Sequence, residues 1–173
     1  MVSARTPGFA STQWITLRTP PRAFNRWADA ERLSKILHDY FSVAERCTRG
    51  LVCIQWRVGN PRFVALWPRV TLLATGEPTY ELADARRAIR VAVVGGLVVD
   101  PASAARLSIV LERRAQSVHA SVELVDYQPR FWRLPVLWWL YGHTQAVVHA
   151  WVGRRYLRHL YQECLQGVLD VPD

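Results

Sequence analysis

From Leu134 to Gly153 the chain runs for twenty residues without a single Asp, Glu, Lys or Arg, between Arg133 and Arg154. Roughly 20 apolar residues in a helix would span a bilayer of about 30 Å. Pro135, Gly142, His143, Thr144, Gln145 and His149 dilute this stretch. A strand-rich region precedes it and needs an apolar cover of its own. The stretch therefore reads as a helix laid over a sheet, ahead of an interfacial or membrane-spanning segment. Pro135 sits where such a helix can start. The helical pattern continues to about Gln166, where Gly153, Tyr156, Leu157, Leu160 and Cys164 share one stripe and Arg154, Arg155, Arg158 and Gln162 lie outside it.

The covered sheet is legible upstream. Ile89, Val91 and Val93 alternate before Gly95-Gly96, a pair suited to a bend or bulge. Leu107, Ile109 and Leu111 alternate with Ser108, Val110 and Glu112. Val118, Ala120, Val122 and Leu124 oppose His119, Ser121, Glu123 and Val125. This period of two belongs to antiparallel sheet with one covered face. Val52, Ile54, Trp56 and Val58 give an earlier strand. Gly59-Asn60-Pro61 marks a turn, Phe63–Trp67 a returning strand and Val70–Leu73 another. Near the start, Trp14–Leu17 reads as a short strand ended by Pro20-Pro21. Leu33, Ile36, Leu37, Tyr40 and Phe41 then recur at helical spacing, with Phe24 and Trp27 extending the stripe backwards. Residues 1–12 read as a flexible lead-in, 13–166 as one domain and 167–173 as a tail.

That order resembles the helix-grip fold of the START-like, or SRPBCC, superfamily: α+β, with a curved antiparallel sheet of about seven strands. A short N-terminal helical segment and a long C-terminal helix across the sheet complete it. The resemblance rests on the Trp14–Leu17 strand, the Phe24–Phe41 helix, the strands of Leu51–Tyr127 and the helix of Val136–Leu165. It implies a cavity between sheet and last helix for an apolar or amphipathic small molecule of lipid, polyketide or isoprenoid type, or an accessory cyclase-like role. The residues expected to line it are Trp56, Trp67, Val91, Ile109, Val122, Tyr141, Gln145, His149 and Trp151.

The residues alone name no reaction, and no cofactor motif occurs. Cys47, Cys53 and Cys164 form no CxxC pair, which argues against a disulfide framework or zinc site and fits a reducing cytoplasm. His143 and His149 are six apart, with no HExxH spacing. There is no GxSxG, and Gly95-Gly96 lacks the context of a phosphate loop. Gln145 and His149 lie four apart on one helical face. They can offer a hydrogen-bonding pair or a general base, or His149 can be an ordinary core histidine. The net charge of +8 is spread over paired arginines without a long basic run, so nucleic acid is not an expected partner. Two other readings stay open. One is an assembly subunit docking a partner or sister chain through the Trp-rich 134–152 segment. The other is peripheral contact with an anionic membrane through Trp138, Trp139 and the Arg face.

Overall fold

The computed structural model describes residues 9–17, 24–57, 60–130 and 149–164. Strand β1 (Phe9–Leu17) is followed by the short helix α1 (Phe24–Trp27) and helix α2 (Ala30–Cys47). Strands β2 (Val52–Arg57), β3 (Asn60–Ala65), β4 (Val70–Thr75), β5 (Thr79–Leu82), β6 (Arg86–Gly95), β7 (Arg106–Arg114) and β8 (Ser117–Tyr127) follow. The chain is helical again over residues 149–164, here α3.

Among the described residues the eight strands form one curved, open sheet, and all pairs are antiparallel. Its order is β1-β8-β7-β6-β4-β3-β2, with β5 also paired to β6. Residues directly opposite in an antiparallel pair present their side chains to the same face. Ile89, Ile109 and Val122 form one such row, and Val91, Leu107 and Leu124 form the next. Leu111 pairs with Ala120, and Ile15 with Ala120 from the other side. Apart from Ile15, which is partly buried, these residues are buried, and all pack in one core with the apolar stripes of α2 and α3.

The helices are placed by their sequence. In α2 the stripe of Leu33, Ile36, Leu37, Tyr40 and Phe41 is buried as its spacing requires. Asp29 caps its first turn by accepting a hydrogen bond from the Arg32 amide at 2.7 Å. This cap splits the single helix expected over Phe24–Phe41 into α1 and α2. The far end runs on to Cys47, and Thr48 stops it with its hydroxyl on the Glu45 carbonyl at 2.8 Å. Arg49 and Gly50 follow with positive φ values of 51° and 82°.

In α3 the buried side is Val152, Gly153, Tyr156, Leu157, Leu160 and Cys164. Gly153 lets the helix come close to β1, where a Cβ would stand 2.5 Å from the Gln13 Oε1. Glu163, near its end, takes Arg32 at 3.1 Å and Lys35 at 3.2 Å, tying α3 to the first turns of α2. The rings of Tyr40 and Tyr156 meet edge to face at 5.4 Å.

Three strand expectations change. β1 begins at Phe9 rather than Trp14, because its ladder with β8 continues past the alternating residues to Tyr127. The polar stretch after Thr75 contributes β5, held by its ladder to β6 from Thr79–Arg90 to Leu82–Arg87. The strand expected over Phe63–Trp67 starts earlier and stops at Ala65.

Candidate functional site

The concave face of the sheet packs against α2 and α3. Val91, Ile109 and Val122 lie on adjacent rows of that face and are buried. Trp56 comes from the edge strand β2. Its ring stacks on His38 of α2 at 3.7 Å and meets Phe41 edge-on at 5.8 Å. Phe41 also meets Phe63 at 5.3 Å, so an aromatic group joins the open end of the sheet to α2.

The polar groups on this side are few. Among the described residues the buried polar side chains are Thr75, Ser108 and Ser121, and no Asp, Glu, Lys or Arg is buried. Ser108 and Ser121 are on the convex side, opposite Glu123 and Val110 in the ladder. On the concave side Thr75, opposite Val93, donates its hydroxyl to the Pro61 carbonyl at 2.9 Å. Gln13, opposite Val122, donates its amide to the Ser11 hydroxyl at 2.6 Å. Aromatic residues supply further polar atoms. The Tyr127 hydroxyl donates to the Val98 carbonyl at 3.0 Å. The Tyr156 hydroxyl is buried and finds no hydrogen-bond partner among the described residues. Burial pushes its pKa well above the usual value, and burial pushes that of Tyr40 up as well. Both phenols are therefore neutral and able to donate at physiological pH.

His149 stands at the start of the described part of α3, its ring 6.4 Å from Tyr127. Burial lowers its pKa to about 4, so the imidazole is neutral and can accept a hydrogen bond. Tyr156 lies seven positions further along the chain. That spacing puts both on one face of α3, about 10 Å apart along the axis.

Other expected residues fall elsewhere. Trp67 is not on the concave face: with β3 ending at Ala65, it sits almost fully exposed in the turn before β4. Trp151 is exposed, with the Arg155 guanidinium 5.8 Å from its ring centre. It lines an open groove of about 390 Å³ with Arg154, Arg155 and Arg158. Tyr141, Gln145, His143, Trp138 and Trp139 lie outside the described residues, and with them most of the charge-free segment. Sequence reasoning missed the Tyr156 and Tyr40 hydroxyls, because both residues belong to stripes that read as ordinary core packing.

No group of three or more His, Cys, Asp or Glu side chains converges among the described residues. No described helix is long and apolar enough to cross a membrane.

No protein-family model matches the sequence, and no curated protein matches it. Solved structures do. TTHA0849 from Thermus thermophilus is 14% identical and superposes with a TM-score of 0.53, covering 91% of this chain and 98% of that one. The chain has a helix-grip fold. A START superfamily protein from Mycobacterium smegmatis is similar at 15% identity, covering 88% of this chain and 99% of its own, with a TM-score of 0.46. Ara h 8.0201 is similar at 12% identity, with 87% and 98% coverage and a TM-score of 0.37. At such identities the likeness fixes the helix-grip architecture and nothing of the chemistry, and the two looser superpositions carry no further argument.

Proposed function

We propose that this helix-grip domain binds a neutral, largely apolar small molecule, of lipid, polyketide or isoprenoid type, between the concave sheet and α3. The observation that carries the reading is the Tyr156 hydroxyl, buried beside Tyr40 of α2 and without a hydrogen-bond partner among the described residues, with Asp39, Glu163 and Arg32 close enough to act on it electrostatically. A buried donor left unpaired costs about 1–3 kcal/mol, and a ligand oxygen beside it would recover that cost. No buried acidic or basic side chain is described. A ligand carboxylate or ammonium would lose its water without a counter-charge, which favours an uncharged molecule. Val91, Ile109, Val122 and Trp56 supply apolar contact, Tyr156 donates, and neutral His149 accepts from a second group farther along α3. The separation of about 10 Å between His149 and Tyr156 along the helix suits two-point binding. It does not suit acid and base catalysis on neighbouring atoms, so the reading is a carrier or accessory protein ahead of an enzyme.

The test is extraction of the purified protein with organic solvent, followed by mass spectrometry. Displacement of the neutral probe N-phenyl-1-naphthylamine by the extracted material would accompany it. Stoichiometric recovery of an uncharged apolar compound that displaces the probe is the expected result. Purified protein that carries nothing and leaves the probe dark would refute the proposal.

A further inference from the structure

Independently of the proposed ligand, the structure points to a membrane-docking corner at one end of the sheet, formed by the turns 49–51 and 66–69. The connection from α2 to β2 and the turn from β3 to β4 lie side by side, joined by a hydrogen bond from the Leu66 amide to the Leu51 carbonyl at 3.1 Å. On this corner Trp67 is 91% exposed, Leu51 75% and Leu66 50%. Arg49 and Arg69 flank them, both exposed, and Arg46 is exposed on the last turn of α2. Three large apolar side chains at neighbouring turns are an outlay the fold gains nothing from in water.

Charge decides the occupant. From Arg46 to Gly76 the sequence has thirty-one residues with five arginines (Arg46, Arg49, Arg57, Arg62 and Arg69) and no Asp or Glu. Of these, Arg46, Arg49 and Arg69 are at the corner and Arg57 and Arg62 lie toward the other end of the β2–β3 hairpin, so three arginines, with Glu45 beside Arg46, surround the apolar tip. The apolar area is on the order of 400 Å², against about 800 Å² per partner for a stable protein interface. That is too little for a sister chain or a protein partner to hold by itself. It matches shallow insertion of Trp and Leu at the headgroup boundary, with arginines on anionic lipid phosphates. The α3 face adds to this end of the molecule, since Arg155 is close enough to the Cys47 thiol of α2 to act on it electrostatically.

Flotation of the full chain with vesicles of phosphatidylcholine containing about a quarter phosphatidylglycerol tests the assignment, with pure phosphatidylcholine as the comparison. Wild-type protein should float with the anionic vesicles only. Raising salt from about 0.1 to about 1 M shortens the screening length from about 10 to about 3 Å and should release it. Trp67→Ala should weaken partitioning by about tenfold, and the double change Arg49→Glu with Arg69→Glu should abolish it. All three residues are exposed, and unchanged thermal melting of each variant shows that the fold is intact. Wild-type protein that stays at the bottom of the gradient, or Trp67→Ala that floats as well as wild type, overturns the proposal. So does concentration-dependent self-association in light scattering that Trp67→Ala removes while flotation is absent, since the corner is then an interface between copies.

Discussion

Replacing Tyr156 by Phe separates the two states of the protein by the sign of its effect. The Tyr156 hydroxyl is buried beside the Tyr40 ring, with no partner among the described residues. Removing it deletes an unsatisfied donor and keeps the ring and its edge contact. An unpaired buried hydroxyl costs about 1–3 kcal/mol, so Tyr156→Phe should stabilise the stripped protein by about 1–2 kcal/mol. With a urea dependence of about 2 kcal/mol per molar, the unfolding midpoint should rise by roughly half a molar to one molar. In the loaded protein the same change removes a hydrogen bond to the ligand, worth about 0.5–1.5 kcal/mol, and affinity should fall by about three- to tenfold. The assay is urea unfolding of protein stripped by solvent extraction, beside probe displacement by the extract. A stripped Phe variant less stable than wild type by about 1 kcal/mol or more would refute the reasoning, because the hydroxyl would then already have a partner.

Four substitutions elsewhere follow from similarly local physics. His149 has its pKa held down to about 4 in the fold against about 6.5 in the unfolded chain. As pH falls from about 6.5 to 4 the unfolded state takes the proton first, so stability should drop by up to about 3 kcal/mol and level off below. In His149→Gln that part of the acid slope should vanish in urea titrations at pH 7, 5 and 4. At Gly96, with φ at 130°, a Cβ would stand 2.2 Å from the Leu72 carbonyl oxygen. Gly96→Ala should lose about 3 kcal/mol or more, a melting drop of roughly 6–10 °C. Gly50→Ala, at φ of 82° with nothing within 4 Å, should lose only about 1 kcal/mol, and equal losses at the two glycines would refute the steric account. Glu163→Gln weakens its contacts to Arg32 and Lys35, both partly exposed. It should cost about 1 kcal/mol in low salt and less in high salt, by thermal melting.

What could be read from the sequence tracks what holds each element in place. Ile89–Val93, Leu107–Leu111 and Val118–Leu124 announce themselves because one face of each is buried, and burial writes a period of two into the residues. The α2 stripe is legible for the same reason at the helical period. β5 and the first half of β1 are at or near sheet edges and are held by ladder hydrogen bonds, which any backbone can make. Thr79, Tyr80 and Leu82 are exposed, and Ala10, Thr12 and Trp14 point outward, so no covered face marks them. The Asp29 cap was readable in principle, since Asp immediately before an apolar-periodic run is a start signal. The Phe24–Trp27 stripe hid it by continuing the same period across the break. At the site, the apolar rows were legible and Trp67 was misplaced. Its hydrophobicity argued for burial, whereas Pro68 beside it had already marked the end of the strand.

The inner hydroxyl and the outer apolar corner are separate features, and kinetics can tell whether they serve one task. A carrier that loads from a bilayer needs contact with the surface to set its rate and contact with the ligand to set its occupancy. On the two proposals Trp67 acts in the first step and Tyr156 in the second. Trp67→Ala should therefore slow the transfer of extracted ligand from anionic vesicles by about tenfold, in proportion to its lost partitioning, and leave final occupancy unchanged. Tyr156→Phe should lower final occupancy by about three- to tenfold at sub-saturating ligand, with wild-type loading rate per vesicle encounter. Stopped-flow transfer monitored by probe displacement reads both quantities in one trace. A Trp67→Ala protein that loads from vesicles at the wild-type rate would leave the corner with no part in loading.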